Sequence, residues 1–555
     1  MEASLNCNLS KCSSSALFGQ RLRWPLTIAA ISAAAFLVSW AMGWCHPAVP
    51  FVHDDFSHLL VADTLRHGRL ANPAPVLWQP FQSFHVLVQP SYASKFPLGP
   101  GGLLALGWCL FGSPNAGIWL GAGLCAGAMT WALAGCMSRP WAALIGMLFA
   151  LHPGIHHAWS LSFLNGYLSA ASGALVAGAV MRLRRRIRNC DAILFGVGVA
   201  GLALTRPFEG LCFTIFATLL LAFWWSKQLL MEQVRRWYRL APWAAIPIVC
   251  ALAVIAAHNW ATTGNVARMA YQLHEAQYGV APLSILQSPK NPEMEDQRSQ
   301  DVPPTVTAFH HGWSMETYLK RNHLRGWFAG VAERVFVVVH LWGWLFCIFA
   351  VVFLVRQRRA LLPIATCVMA ALLAATLVPW FYAHYFAPSL VWMVLLTAVG
   401  LRTALHRYFV DRRHRRWCVA GILMLQFLCM GYEIMHSVAR PMDWSDQRQA
   451  LIEDLGRSGG QHLILVRYHA VHNVHHEWVY NGADLEGTNV LWARSWRDDL
   501  DVQLRHRWQD QRQIWLLQFD ANDRPQLNKI DKQSWPWIGN SLDSTPLKVA
   551  VAIHS

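Results

Sequence analysis

The chain has 555 residues, of which 54% are hydrophobic and only 14% charged, with a formal net charge of +15. A soluble protein carries about 25% charged residues, so these figures exclude an ordinary soluble enzyme, and equally a disordered or disulfide-knotted chain. The bases sit in short clusters between apolar runs, which is the positive-inside pattern of cytoplasmic loops and not a nucleic-acid-binding surface.

Apolar runs long enough to cross a bilayer recur from Pro25 to Tyr432, so the expected class is a polytopic α-helical membrane protein. The first run, Pro25 to Cys45, is too long for the apolar part of a signal peptide, and Arg21 and Arg23 hold its start in the cytoplasm. Eleven spans are expected, at 25–45, 115–137, 140–156, 159–181, 191–206, 208–226, 241–259, 335–355, 360–379, 384–401 and 417–435. This count makes residues 1–24 cytoplasmic and 25–435 a transmembrane domain. It leaves outer loops at 46–114 and 260–334 and an extracytoplasmic segment at 436–555. The basic clusters Arg182–Arg188, Lys227–Arg239, Arg356–Arg359 and Arg402–Arg416 then all lie inside; one missed span would break that parity. The pattern implies a multi-pass membrane protein with its N-terminus in and its C-terminus out.

The first outer loop opens with His53-Asp54-Asp55-Phe56, about eight residues past the first span. Helical spacing of Phe56, Leu59, Leu60, Ala62 and Leu65 predicts an amphipathic helix at the interface. The acidic pair either caps this helix, where the dipole favours negative charge, or supplies a general base for an acceptor hydroxyl. Further on stand Lys95-Phe96-Pro97, followed by the short apolar, glycine- and proline-rich run Leu98 to Phe111, read as an interfacial or re-entrant helix. Lys95 on the outer face either snorkels or binds a lipid phosphate.

At the outer turn of a helical hairpin, Thr205-Arg206-Pro207-Phe208-Glu209 places two ionisable groups at membrane depth. They form a mutual pair or a functional site. Tyr382-Ala-His384-Tyr385 starts a later span and suits either an interfacial aromatic belt or a substrate contact. The 260–334 loop is long and polar with five prolines, and long loops of this kind are usually functional. In the tail, 462–468, 489–493 and 513–519 read as strands and 447–457 as a helix ending at Gly459-Gly460, a small α/β cap. Apart from Cys109, inside an apolar run, the outer segments contain no cysteine. The cluster His469, His472, His475, His476 and Glu477 is the one candidate site for a divalent metal, although it lacks HExxH spacing.

An N-inside first span, an acidic pair with an interfacial helix, and a Lys-Pro-type motif before the second span together resemble the GT-C glycosyltransferases. Within them the chain looks like the protein O-mannosyltransferase and lipid A aminoarabinose transferase group. The stretches 54–112, 205–210, 271–287 and 466–494 are similar to a bacterial branch of that superfamily. The resemblance implies an inverting transfer of a sugar from a polyprenyl phosphate to an acceptor hydroxyl on the outer face. The acceptor is a glycan, a lipid or a protein. It implies that Asp54 is the catalytic carboxylate and that Asp55 stands where the family often has Glu. The family's Lys-Pro-Pro motif appears as Lys95-Phe96-Pro97, which makes Lys95 the ligand of the donor phosphate, with Arg206, Glu209, His384 and Tyr385 as further substrate contacts. The competing readings are a lipid or glycan transporter, which would want charged or broken helices at the midplane, and a non-catalytic envelope scaffold.

Overall fold

In the computed structural model of the protein, residues 14–226, 230–289, 301–343, 346–347, 358–409, 411–438, 442–470, 472–520 and 523–530 are described. Among them seven helices are long and apolar enough to cross a membrane: Arg23–Cys45, Asn115–Leu133, Gly166–Leu183, Pro207–Trp225, Met231–Thr263, Ala387–Tyr408 and Arg412–Ser437. Four shorter apolar helices accompany them, at Leu98–Phe111, Arg139–Ala150, Asn189–Thr205 and Pro363–Ala375. The chain is therefore a multi-pass membrane protein by its helices. The hydrophobic interior of the bundle is built from small and aromatic residues such as Ala126, Ala170, Ala174, Trp159 and Trp392, the composition that lets membrane helices approach closely.

Several expected spans differ in their ends. The 140–156 span breaks at Leu151-His152 into Arg139–Ala150 and Pro153–Trp159. Pro153 has no N–H to continue the first helix, while the His152 side chain accepts the Ile155 N–H and starts the second. The span expected at 335–355 begins earlier, as Leu324–Trp342, and ends where Gly343 takes a φ of +84°. Most of its second half lies outside the described residues, as do the side chains of Lys227 and Arg356–Arg359. The helix expected from 384 begins at Leu390; residues Ala383–Tyr385 and Ala387–Ser389 form two tight 3₁₀ turns. These turns press against the Gly166–Leu183 helix, and a Cβ on Gly173 would lie 2.1 Å from the Pro388 carbonyl oxygen. Only glycine permits that approach, which seats His384 and Tyr385 firmly against the bundle.

The predicted interfacial helix is His53–Arg66. Behind it a three-stranded sheet of order β1-β3-β2 joins β1 (Asn72–Pro73), β2 (Val86–Leu87) and β3 (Ser91–Ser94), all antiparallel. A second sheet of order β5-β4-β6-β7 contains β4 (His462–Arg467), β5 (Val490–Arg494), β6 (Gln513–Phe519) and β7 (Pro525–Lys529). The first three of these strands pair parallel and β7 antiparallel to β6. The three segments read from sequence coincide with β4 to β6; β7 has no sequence counterpart above.

The tail does not stand apart from the first loop. Phe56, Leu60, Phe81, Val86 and Tyr92 share one hydrophobic core with Leu463, Val466, Trp478, Trp492 and Leu517. A fully buried ion pair, Arg494 to Glu477 at 2.6 Å, clasps this core. The same guanidinium donates to the Gln82 carbonyl at 3.2 Å and to Thr305 in the second loop. Three segments distant in sequence thus form one roof over the helices.

Candidate active site

Within the acidic pair at the start of His53–Arg66, the two carboxylates have different partners. Asp55 is 2% exposed. One of its oxygens accepts the N–H groups of Phe51 and Val52 at 3.1 and 3.2 Å. The other accepts the Phe163 N–H at 2.9 Å and the Ser162 hydroxyl at 3.1 Å. Asp55, not Asp54, therefore does the capping, and it also ties the helix to the bundle. Burial nevertheless raises its pKa to about 6. Replacing Asp55 with Ala strands buried donors at a cost of about 3 kcal/mol. The variant should unfold in detergent at a clearly lower temperature than wild type, and an unchanged melting curve would contradict this capping role.

Asp54 is left to face a cavity of about 280 Å³, lined also by His85, Lys95, Tyr271, Glu275, His310, Trp313, Trp380, His384, Tyr385 and His475. Its Oδ1 lies 3.2 Å from His85 Nε2. Burial raises its pKa, and the positive charges of Lys95 and Arg206 oppose that rise. His85 holds a φ of +61°, a conformation that costs a non-glycine residue energy and persists only where the surroundings enforce it. Its carbonyl accepts the Ser57 hydroxyl at 2.7 Å and the Lys95 N–H at 3.1 Å. Those bonds hold the loop so that the imidazole meets Asp54.

Lys95 follows β3 and is 6% exposed. Its Nζ lies 3.5 Å from Glu275 Oε1 and 4.7 Å from the Tyr271 ring centroid. Burial lowers its pKa, while Glu275 and then Asp54 raise it. Glu275 in turn is held down to about 2; burial pushes it up, and the Lys95 charge and a bond to His274 more than offset this.

A second, larger cavity of about 470 Å³ lies beside the first. Leu98, Ala203, Leu204, Phe208, Ile255, Leu283, Leu377 and Val378 make it mainly apolar. Lys95, Phe96, Tyr271, Leu283, Trp380 and Tyr385 line both cavities and form the junction. The helices walling the larger one carry exposed Phe208, Leu211, Val249 and Leu252, the surface a helix shows to lipid. Arg206 borders this cavity at the break before Pro207, where a residue preceding proline leaves the helical region. Its guanidinium stacks 4.3 Å from the Tyr385 ring centroid. The expected Arg206–Glu209 pair is absent from the ion pairs of the described residues; Glu209 borders only the apolar cavity of the two.

The histidine cluster does not form a metal site. Among the described residues no three His, Cys, Asp or Glu side chains converge to hold a metal ion. His472 bonds Asp523, His476 lies 3.5 Å from the same carboxylate, and Glu477 is spent on Arg494. His475 and His476 both line the cavity, and the His475 ring lies 5.8 Å from that of His53. The structure thus brings Asp54, Lys95, His384 and Tyr385 to one cavity with Arg206 adjoining, and adds His85, Tyr271, Glu275, His310 and Trp380. Nothing in the local sequence marked His85; Tyr271 and Glu275 fall within a stretch quoted above only for its resemblance.

No protein-family model matches the chain, and no curated protein does. Among solved structures, the chain is similar to ArnT from Cupriavidus metallidurans in its apo state. Identity is 10%, the TM-score is 0.49, and 91% of this chain and 94% of that one are covered. The same protein bound to undecaprenyl phosphate gives 10% identity, a TM-score of 0.47, and coverage of 90% and 93%. The chain is also similar to an oligosaccharyltransferase from Archaeoglobus fulgidus, at 12% identity with a TM-score of 0.44, covering 78% of this chain. It spans about three-fifths of the length of that oligosaccharyltransferase, 60%.

Proposed function

We propose that the protein is an inverting glycosyltransferase that moves a sugar from a polyprenyl-phosphate donor to an acceptor hydroxyl at the outer face of a bacterial inner membrane. The observation that carries this reading is the junction of the two cavities. An apolar chamber beside lipid-facing helices meets a polar chamber containing Asp54, and the buried cation Lys95 stands where they meet. The lipid chain occupies the apolar chamber, its phosphate lies against Lys95 and Arg206, and the sugar projects toward Asp54.

The Asp54 carboxylate takes the acceptor's hydroxyl proton as that oxygen attacks the anomeric carbon. The bond from that carbon to the phosphate oxygen breaks on the opposite face. The electron pair stays on the phosphate, and Lys95 and Arg206 stabilise the added charge. A phosphate needs little protonation to leave, so one base and two cations suffice for the step.

The test is turnover in nanodiscs with an undecaprenyl phosphate-linked sugar and a membrane glycan extract. The expected product is free undecaprenyl phosphate, released in proportion to acceptor glycosylated. Passage of intact donor across the bilayer without cleavage would favour a transporter. The orientation of the site has its own check. Impermeant thiol labelling of single cysteines should reach positions in 260–289 and 442–470 from the outside and those in 402–409 only after permeabilisation. A tail protected in intact cells would place the whole roof, and Asp54 with it, on the wrong side.

A further inference from the structure

His85 touches both arms of the site. Its Nε2 lies 3.2 Å from Asp54 Oδ1, and its carbonyl accepts the N–H of Lys95 at 3.1 Å. The same carbonyl accepts the hydroxyl of Ser57 at 2.7 Å, and Ser57 stands about one turn after Asp54 on the helix His53–Arg66. Base, histidine and helix therefore close a ring of contacts, to which the cation is tied by a backbone bond. Residue 85 holds a φ of +61° in making them, and strain of that kind gathers at functional sites.

The tautomer of the ring follows from its surroundings. Burial holds the pKa of His85 well below the usual imidazole value, and Lys95, His53, His274 and His310 push the same way. The ring is therefore neutral, with one proton. Its Nδ1 is sealed from solvent and has no hydrogen-bond partner among the described residues. A proton there would be an unpaired buried donor, and it would set the bare lone pair of Nε2 against a carboxylate oxygen 3.2 Å away. On Nε2 the proton meets that oxygen, and both costs vanish. Phe96 and Phe309 meet the ring edge-on, at 5.6 and 5.9 Å between centroids, and limit its turning.

A carboxylate with one oxygen held by a fixed N–H presents the other in a fixed direction, and a reacting hydroxyl needs that alignment from its base. A hydrogen bond to the carboxylate also favours its ionised form. That opposes burial, which raises the Asp54 pKa.

We infer that His85 is the positioning residue of the base: its Nε2–H donates to Asp54 Oδ1 and leaves Oδ2 to take the acceptor's proton. The inference rests on the transferase reading above. His85 neither gives nor takes a proton in the step; the proton leaves the acceptor hydroxyl and ends on Asp54.

The experiment uses the full-length protein in nanodiscs and two variants. His85→Phe keeps the aromatic packing and removes the donor, whereas His85→Gln keeps an N–H at similar reach. The Asp54 titration is read from the infrared carboxyl band that Asp54→Asn abolishes. The other titratable groups around the pair are unchanged in both variants: His53 and Lys95 from the first loop, His274, Glu275 and His310 from the second, Arg206 and His384 from the helices, and His475 from the tail. His85→Phe should raise the Asp54 midpoint by about one pH unit, the worth of one hydrogen bond to a charged group, and His85→Gln should leave it near wild type. On the alkaline plateau, where Asp54 is ionised in every protein, His85→Phe should lower kcat by about tenfold or more. The KM for donor should hold, and His85→Gln should recover most of the loss. Bare undecaprenyl phosphate, which probes the cation side, should bind both variants as it binds wild type, and so certify their folding. An Asp54 midpoint that stays put in His85→Phe overturns the inference. So does a Gln variant that behaves like Phe, or a loss of bare-lipid affinity as large as the loss of turnover. A wild-type protein that neither binds undecaprenyl phosphate nor releases it from a sugar-linked donor defeats the transferase reading itself, and the inference falls with it whatever the midpoint does.

Discussion

Asp54→Asn should lower sugar transfer by about 10²–10⁴-fold, the range supplied by a positioned base, while donor binding and thermal stability stay close to wild type. Stability should hold because the helix cap is made by Asp55, whose oxygens accept four donors. An Asn Oδ1 can still accept from His85 Nε2, which lies 3.2 Å from the native oxygen. The pH profile gives a second reading of the same residue. Burial raises the Asp54 pKa, and the base works only when ionised. The acid limb of kcat/KM should therefore fall above the ordinary carboxylate range and disappear in Asp54→Asn. Full activity in the variant would remove Asp54 from the mechanism.

Lys95→Ala should weaken donor-lipid binding by about 10²-fold, from ~3 kcal/mol for truncating one member of a buried charge pair. Part of that loss comes from Glu275, which keeps its charge at the wall of the polar cavity once the Lys95 ammonium is gone. Lys95→Ala combined with Glu275→Gln should therefore recover stability but not affinity. Glu275→Gln alone tests the ion pair through pH. Burial lowers the Lys95 pKa and Glu275 raises it. Without Glu275 the lysine gives up its proton at lower pH, so donor binding should be lost at lower pH than in wild type. Unchanged donor affinity in a folded Lys95→Ala protein would contradict the phosphate role.

The charged residues of the site were legible because charge at membrane depth is costly and stands out against apolar sequence. Lys95 and Arg206 stood out on that ground, as did the Asp54-Asp55 pair, from which only the resemblance singled out Asp54; His384 and Tyr385 stood out as polar groups at a span's edge. What a residue bonds was not legible in the same way. The role of Asp55 depends on Phe163, more than a hundred positions away. Glu477 read as a metal ligand because its neighbours in sequence are histidines; in space its neighbour is Arg494. His85 carried no signal, since a left-handed backbone at a histidine is set by Ser57 and Lys95 holding its carbonyl. The helical hairpin at Arg206 and the three tail strands followed from hydrophobic runs and proline. The shared core of first loop and tail did not, because packing between segments nearly four hundred residues apart leaves no local periodicity to read.

Photo-crosslinking with a polyprenyl phosphate bearing a reactive group in its first isoprene units tests the two-chamber account most directly. The label should fall on 203–208, on Ile255 and on 377–380, the walls of the apolar chamber, and excess undecaprenyl phosphate should compete it away. Labelling confined to other helices, or labelling at these walls that undecaprenyl phosphate does not displace, would contradict the placement of the donor and with it the proposed reaction.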